Sequence, residues 1–231
     1  MKRRKFVKKL GLVALTGTVL RPYAIKSAIP DLKKEREINK TNVYSPRVIK
    51  TFFQTDDVVI ASYNVMDFGA KGDGKTNDAE AIQAALNQAG ENGGGVVFIP
   101  AGSYALHNRL IIRAGTTLRG DWKNPFDTTF NNKNENGTVL MAFADKGKSE
   151  GAAFIDILDN AGIKNLTIWY PEQQMDTIEA YPFTIRQVEK YNATIENVTL
   201  VNSYQGIEIG PGNNSLAMIR NVYATALKTG L

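Results

Sequence analysis

Three carboxylates in the second half of the chain have the side-chain type needed to cleave a sugar polymer. Glu208 lies in the alternating run Gly-Ile-Glu-Ile-Gly at 206–210, where the two isoleucines would be buried and the glutamate would point outward from a strand. Hydrolysis of a glycosidic bond uses two carboxyl groups, about 5 Å apart for retention and roughly 6.5 to 9.5 Å apart for inversion. Glu208 is therefore the first catalytic candidate, followed by Asp176 and Glu172 in a loop nearer the middle of the chain.

Aromatic residues near these carboxylates could bind the sugar rings. Trp169, Tyr170 and Tyr204 present flat apolar faces that can stack on a pyranose ring. The plainer interpretation of each candidate is a solvated carboxylate or an aromatic that packs in the core. A lyase would instead need a base and a cation that neutralises the uronate, such as Ca²⁺. No other cofactor and no resident metal is predicted.

The chain contains no cysteine and a single histidine, His107. The lack of cysteine excludes disulfides, thiolate nucleophiles and cysteine ligands for zinc. Any mechanism that needs a serine–histidine pair would have to use His107. This histidine precedes a short apolar run at 110–112, and we interpret it as incidental to function.

The segment 69–76, Gly-Ala-Lys-Gly-Asp-Gly-Lys-Thr, has the spacing of a phosphate-binding loop. Two features argue against nucleotide binding. Asp73 and Asp78 would place negative charge close to a triphosphate. Asn77 begins a capping-box pattern, which predicts that the helix starts only after the loop has ended. We interpret the nearby aspartates, including Asp67, as structural, with a calcium site made from them as the alternative.

The positive charge of the chain is concentrated at its start. The formal net charge is +5, but residues 1–28 carry eight lysines or arginines and no acid, so the remainder has a net charge of −3. An acidic body argues against a nucleic-acid partner.

The apolar stretch 10–20 is too short to span a bilayer and is typical of a signal peptide, and the residues at 3–8 resemble a twin-arginine signal. We predict an export signal at 1–28, a tether at 29–60 and a periplasmic or extracellular protein that is not membrane-attached after export.

A repeated pattern organises the rest of the chain. Ile-x-Asn-aliphatic begins at Ile163, Ile195 and Ile219, with offsets of 32 and 24 residues. Such periods indicate stacked repeats, because one repeat cannot bury its apolar face alone. The asparagines of the three repeats are expected to align as a ladder: Asn165, Asn197 and Asn221.

Several segments together resemble the N-terminal module of the pectate-lyase-like superfamily. They are Tyr-Asn-Val-Met-Asp-Phe-Gly-Ala-Lys-Gly-Asp-Gly-Lys-Thr-Asn-Asp at 63–78, Gly-Gly-Val-Val-Phe-Ile-Pro-Ala-Gly-Ser-Tyr at 94–104 and Thr-Thr-Leu-Arg-Gly-Asp-Trp at 116–122. The resemblance implies an all-β fold, a right-handed parallel β-helix over 61–231 with an N-terminal capping α-helix.

The same resemblance implies an exported enzyme that acts on a pectin-like or other polysaccharide. The later segments resemble proteins related to glycoside hydrolase family 28, which favours a hydrolase over a polysaccharide lyase. A non-catalytic carbohydrate-binding or tailspike-like module is the alternative from another class. The paired aspartates, Gly-His-Gly and Arg-x-Lys elements of family 28 polygalacturonases are not found. Because the chain ends at Leu231 without a visible cap, we expect either a fragment whose active-site repeats lie further on or a trimer that covers this end.

Overall fold

Fourteen strands and one α-helix form the part of the chain that the computed structural model describes, residues 44–53, 55, 57–126, 137–189, 191–209 and 216–231. The predicted export signal lies outside the described residues, and so does the first part of the predicted tether. In chain order the elements are β1 (Arg47–Ile49), β2 (Val59–Ala61), β3 (Tyr63–Asn64), a 3₁₀ helix (Val65–Phe68), β4 (Asp73–Asn77), α1 (Ala79–Glu91), β5 (Gly95–Phe98), β6 (Gly102–Leu106), β7 (Leu110–Ile112), β8 (Thr116–Arg119), β9 (Thr138–Ala142), β10 (Ile155–Ile157), β11 (Gly162–Trp169), β12 (Phe183–Gln187), β13 (Thr194–Ile209) and β14 (Met218–Thr229).

The strands from β3 onward pair in parallel and form three stacks. The first stack contains β3, β5, β8 and the beginnings of β11, β13 and β14. The second contains β4, β6, β9 and the later parts of the same three long strands. The third contains β7, β10, β12 and the end of β13. This mostly parallel sheet with one helix confirms the all-β class and is consistent with the expected parallel β-helix.

The register of the strands confirms the predicted repeat. Ile163 pairs with Ile195, which pairs with Ile219. Two residues further on, the asparagine ladder forms: the Nδ2 of Asn197 donates to the Oδ1 of Asn165 at 3.0 Å, and Asn221 donates to Asn197 at 3.0 Å. All three asparagines have positive φ, between 51° and 58°. Asparagine tolerates this left-handed backbone, which carries the chain from the first stack to the second.

The core lies between the stacks, and the buried residues of α1 belong to it. Ile155, Ile163 and Ile168 are fully buried, as the alternation of each strand requires. The buried residues of α1 form one apolar stripe along the helix: Ala79, Ile82, Ala85, Leu86 and Ala89. The helix packs against β5, β7 and the 3₁₀ helix. No helix in the described ranges has the length and apolar composition to cross a bilayer.

The predicted cap of α1 is wrong in detail. The N-cap is Asp78, and it makes no side-chain capping bond. Asn77 instead ends β4, and its Oδ1 accepts from the backbone amides of Ala79 at 3.3 Å and His107 at 3.2 Å. The carboxylate of Asp78 does not cap the helix because it is hydrogen-bonded within the preceding loop.

The structure also corrects the boundary of the predicted tether. Residues 44–61, which we call the N-terminal strap, contain the antiparallel pair β1 and β2 and belong to the same compact unit as the rest of the described chain. Val59 and Ala61 are buried against Phe98 of the first stack. Their alternation with exposed Val58 and Ile60 is a short strand signal within a polar segment.

Candidate functional site

The loop that resembles a phosphate cradle is filled by carboxylates of the chain itself. Asp78 accepts from the backbone amides of Lys71 at 2.7 Å and Gly72 at 3.0 Å. Asp73 accepts from the amides of Lys75 at 2.9 Å and Thr76 at 2.7 Å, and these donors lower its pKa to about 2. The amides that a phosphate would need are therefore already bonded, which supports a structural role for both aspartates.

The three aspartates weighed as a calcium site do not share one site. Asp67 pairs with Arg47 of the strap at 3.0 Å, whereas Asp73 and Asp78 each bind different amides of the loop. Among the residues described, no three Asp, Glu or His side chains are gathered in a way that could hold a metal ion.

A cleft of about 390 Å³ lies on the outer side of the second stack, and we call it the Trp169 cleft. Its base consists of outward residues from neighbouring strands. Thr167 of β11 pairs with Val139 of β9 and with Thr199 of β13, and Trp169 pairs with Val201. The cleft thus combines one indole, two hydroxyls and two aliphatic side chains. Its remaining lining residues are Lys123, Asn124 and Pro125.

Lys123, Asn124 and Pro125 line one side of this cleft, and we call the segment 122–126 that contains them the cleft wall. The Nε1 of Trp122 donates to the Oγ1 of Thr199 at 3.0 Å. The Trp122 ring also stacks on Tyr223 of β14, with centroids 6.0 Å apart, and Phe126 meets the same tyrosine edge-on at 5.1 Å. The wall therefore crosses the second stack and is anchored at the strands beyond β11.

A charged row runs along the outer side of the third stack. Asp156 of β10, Arg186 of β12 and Glu208 of β13 are register partners. Arg186 lies 3.1 Å from the carboxylate of Asp156 and 3.9 Å from that of Glu208, and Arg109 lies 3.7 Å from Asp156. The guanidinium of Arg186 therefore lies between two carboxylates and pairs more closely with Asp156 than with Glu208.

Comparison with known proteins places this arrangement in a family. The model described as "Rhamnogalacturonase A/epimerase, pectate lyase-like" matches residues 62–231. The chain belongs to this family. The N-terminal strap, residues 44–61, precedes the matched region.

The relatives of this pectate lyase-like chain carry several different names. Alginate lyase 7 of Azotobacter vinelandii is 64% identical over 65 residues, which is 25% of this chain and 8% of the relative. Plasmin and fibronectin-binding protein A of Streptococcus pneumoniae is 31% identical over 194 residues, 79% of this chain and 26% of the relative. The solved A-module of mannuronan C-5 epimerase AlgE6 from Azotobacter vinelandii matches with a TM-score of 0.51 and 22% identity, covering 70% of this chain and 44% of that one. This last match shows the similarity of fold alone.

Of the three aromatic residues predicted to bind sugar, only Trp169 lines the cleft. The prediction for Tyr170 is contradicted, because its side chain alternates with Trp169 and is buried in the core, with its hydroxyl 2.9 Å from that of Thr184. Tyr204 is partly buried, and the Nζ of Lys228 lies over its ring at 5.0 Å from the centroid. A sugar could stack on that face only by displacing the lysine.

The three carboxylates predicted to be catalytic lie at different places in the fold and have different neighbours. Glu208 points outward, as predicted, but it lies on the third stack whereas Trp169 lies on the second. Glu172 pairs with Lys146 at 3.4 Å, and Asp176 is exposed in the loop between β11 and β12. The structure therefore does not bring Glu208 and Trp169 into one row, and the catalytic roles of all three carboxylates stay predictions.

Sequence reasoning missed Trp122, Thr199 and the partners of Glu208. Asp156 and Arg186 each stand between two inward residues of a strand, in Ile-Asp-Ile and Ile-Arg-Gln, so the alternation that identified Glu208 could have found them. The contact of Trp122 with Thr199 joins residues 77 positions apart. No local signal identifies it.

Proposed function

We propose that this chain is part of an exported protein that acts on a polysaccharide and binds it in the Trp169 cleft. The proposed fold is a right-handed parallel β-helix in which α1 caps the first repeat. The observation that carries the proposal is the cleft itself, where an indole lies beside the hydroxyls of Thr167 and Thr199. An aromatic face stacks on a sugar ring while hydroxyls hydrogen-bond to its substituents.

The reaction we propose is elimination from a uronate polymer, ahead of the hydrolysis that the sequence favoured. The 64% identical segment belongs to a protein named as an alginate lyase. Lys123 of the wall places a positive charge at the cleft, which suits a carboxylated sugar. Glu172 and Asp176 follow Trp169 closely in the chain and are the proposed acid–base residues for this cleft, with Glu208 behind them. A lyase reaction brings with it a proposed requirement for Ca²⁺ at the uronate carboxylate.

Binding and turnover test this function separately. Isothermal titration of alginate, polygalacturonate and a neutral β-glucan against the protein should show binding of the uronates, lost in Trp169→Ala. Tyr191→Ala is the matched control, because Tyr191 is an aromatic residue with 51% exposure away from the cleft lining. Equal uronate binding by Trp169→Ala and the parent would show that the Trp169 cleft is not the binding site.

The products distinguish the reactions. Unsaturated chain ends indicate elimination, new reducing ends without unsaturation indicate hydrolysis, and inversion at C5 without cleavage indicates epimerisation. Loss of activity on chelation, restored by Ca²⁺, is expected for elimination. Activity that survives chelation would contradict the proposed requirement for Ca²⁺.

A protein-binding module is the second candidate. It is favoured by the 31% identity with plasmin and fibronectin-binding protein A, which extends over 79% of this chain. Retention on immobilised plasmin or fibronectin, together with no binding of any polysaccharide, would support it over the first proposal. Light scattering would show in the same samples whether the protein is a trimer.

We also propose a periplasmic or extracellular location, based on the basic and apolar segments within 1–28. Cell fractionation of the parent and of a variant with Arg3 and Arg4 changed to lysine tests it. Export of both proteins alike would argue against a twin-arginine route.

A further inference from the structure

The N-terminal strap precedes the family match, yet it is tied to the end of β8 by two sets of polar contacts. The guanidinium of Arg119 donates to both carboxylate oxygens of Asp57 at 2.7 and 2.6 Å. The carboxylate of Asp121 accepts from the backbone amides of Phe52 and Phe53, the latter at 3.0 Å. The strap is therefore held by residues that directly precede the cleft wall.

Asp121 is fixed on its own side and buried. It is 2% exposed, its amide donates to the Oγ1 of Thr138 at 2.8 Å, and its carbonyl accepts from the amide of Thr138 at 2.8 Å. The same Thr138 hydroxyl lies 2.8 Å from the carbonyl of Ile99. The backbone of Asp121 is thus fixed by Thr138, and its carboxylate binds the amides of the strap.

Without the strap amides, a buried carboxylate would lose its donors. Such a group is costly to keep away from water, so the side chain would turn outward and shift the backbone of the adjoining residue. That residue is Trp122, which anchors the cleft wall to Thr199 and Tyr223.

We propose that Asp121 is a positioning residue for the Trp169 cleft: ionised, it clamps the N-terminal strap and keeps Trp122 against Thr199, and when it loses this bond the cleft wall is released. The ligand of the cleft rests on the proposed function, whereas the coupling between strap and wall does not. The strap would thus tune a binding surface from outside the region that the family shares.

The charges around Asp121 set the direction of its response to pH. Burial raises the pKa of Asp121 above its ordinary value, against the opposing effects of the Phe52 and Phe53 amides and of Arg119. Arg119 lowers the pKa of Asp57. As the pH falls, Asp121 is therefore expected to protonate before Asp57, and a protonated carboxyl cannot accept from both strap amides.

The chain contains two tryptophans, Trp122 on the wall and Trp169 at the base of the cleft, so fluorescence reports on the cleft directly. In Trp169→Phe the emission comes from Trp122 alone. We expect it to shift to longer wavelength in one step as the pH is lowered, at a pH above the ordinary range of an aspartate. Added Asp121→Asn should abolish that step, whereas added Glu150→Gln, which changes an exposed carboxylate, should preserve it. A step that persists with Asp121→Asn, or no step in Trp169→Phe, would overturn the proposal.

Hydrogen exchange on the unaltered protein provides a second measurement if Asp121→Asn fails to fold. Protection of the Phe52 and Phe53 amides should fall through the same pH interval, after correction for intrinsic exchange. Unchanged protection would refute the clamp. At neutral pH, Asp121→Asn should also weaken uronate binding by roughly fivefold, the equivalent of one hydrogen bond. If uronates do not bind the parent protein, the proposed function fails while the fluorescence step still decides the clamp.

Discussion

Arg186 lies directly beside Glu208 on the neighbouring strand, with its Nη1 3.9 Å from the Oε2 of the glutamate, and on its other side it pairs more closely with Asp156. The side chain of Asp156 is 11% exposed and that of Glu208 is 31% exposed. Arg186 therefore matters more to Asp156 than to Glu208, since the more buried carboxylate loses more when its cation is removed.

Arg186→Met is expected to lower the free energy of unfolding by about 2 kcal/mol, because it leaves Asp156 with only the longer contact from Arg109. Glu208→Gln removes a long, partly exposed pair and should cost less than about 1 kcal/mol. Urea unfolding of both variants measures the difference. A larger loss from Glu208→Gln than from Arg186→Met would contradict the order of these contacts.

The asparagine ladder offers a prediction in which strain and hydrogen bonding can be separated. Asn197 has a φ of 53°, donates to Asn165 and accepts from Asn221. Asn197→Ala should cost about 2 to 3 kcal/mol, from the left-handed backbone and the two lost bonds together. Asn197→Gly loses the same two hydrogen bonds, but glycine adopts a left-handed backbone without strain. It should therefore be less destabilising than Asn197→Ala by about 1 kcal/mol. Thermal or urea unfolding compares the two. Equal losses would mean that the backbone is not strained at this position.

This ladder shows which part of the fold could be predicted from sequence. The Ile-x-Asn-aliphatic pattern recurs because each repeat meets the same three demands, an inward side chain, a left-handed turn and a bond to the next repeat. Repetition makes such demands visible in one sequence. The strap lacks any repeat, and its short alternation of Val58 to Ala61 lies in a polar segment, so its sequence alone indicates a tether.

The candidate site was less predictable for a related reason. Alternation placed Glu208 outward and Trp169 outward, but it does not say on which of the three stacks each residue lies. That assignment depends on how many residues each turn consumes, and the loops between the stacks differ in length. Tyr170 shows that a shift of one residue changes the outcome. It follows Trp169 immediately, its side chain points to the opposite face, and it is therefore buried.

Two adjacent glycines allow close packing and backbone conformation to be compared. Gly93 and Gly94 have φ values of 87° and 105°. A Cβ on Gly94 would lie 2.3 Å from the carbonyl oxygen of Gly115, whereas a Cβ on Gly93 would meet no atom within 4 Å. Gly93→Ala should therefore cost about 1 kcal/mol from the backbone alone, and Gly94→Ala at least about 2 kcal/mol more from the clash. Unfolding curves would reveal the difference, and similar curves would show that β8 can move away from the new methyl group.

The loop at 69–76 matches the sequence pattern of a phosphate-binding loop, and substitutions in it test whether it binds phosphate. Asp78 is 1% exposed and accepts from the amides of Lys71 and Gly72, so Asp78→Ala should leave both amides unpaired and cost about 2 to 4 kcal/mol. Lys75 is exposed, and Lys75→Ala should change stability by no more than about 0.5 kcal/mol. In a true phosphate-binding loop the lysine would be the residue that matters, because it binds the phosphates. Isothermal titration should accordingly detect no ATP binding by the parent protein or by Lys75→Ala. Binding by the parent that Lys75→Ala abolishes would mean that a phosphate can displace Asp78 from its own loop, and the structural interpretation would then be wrong.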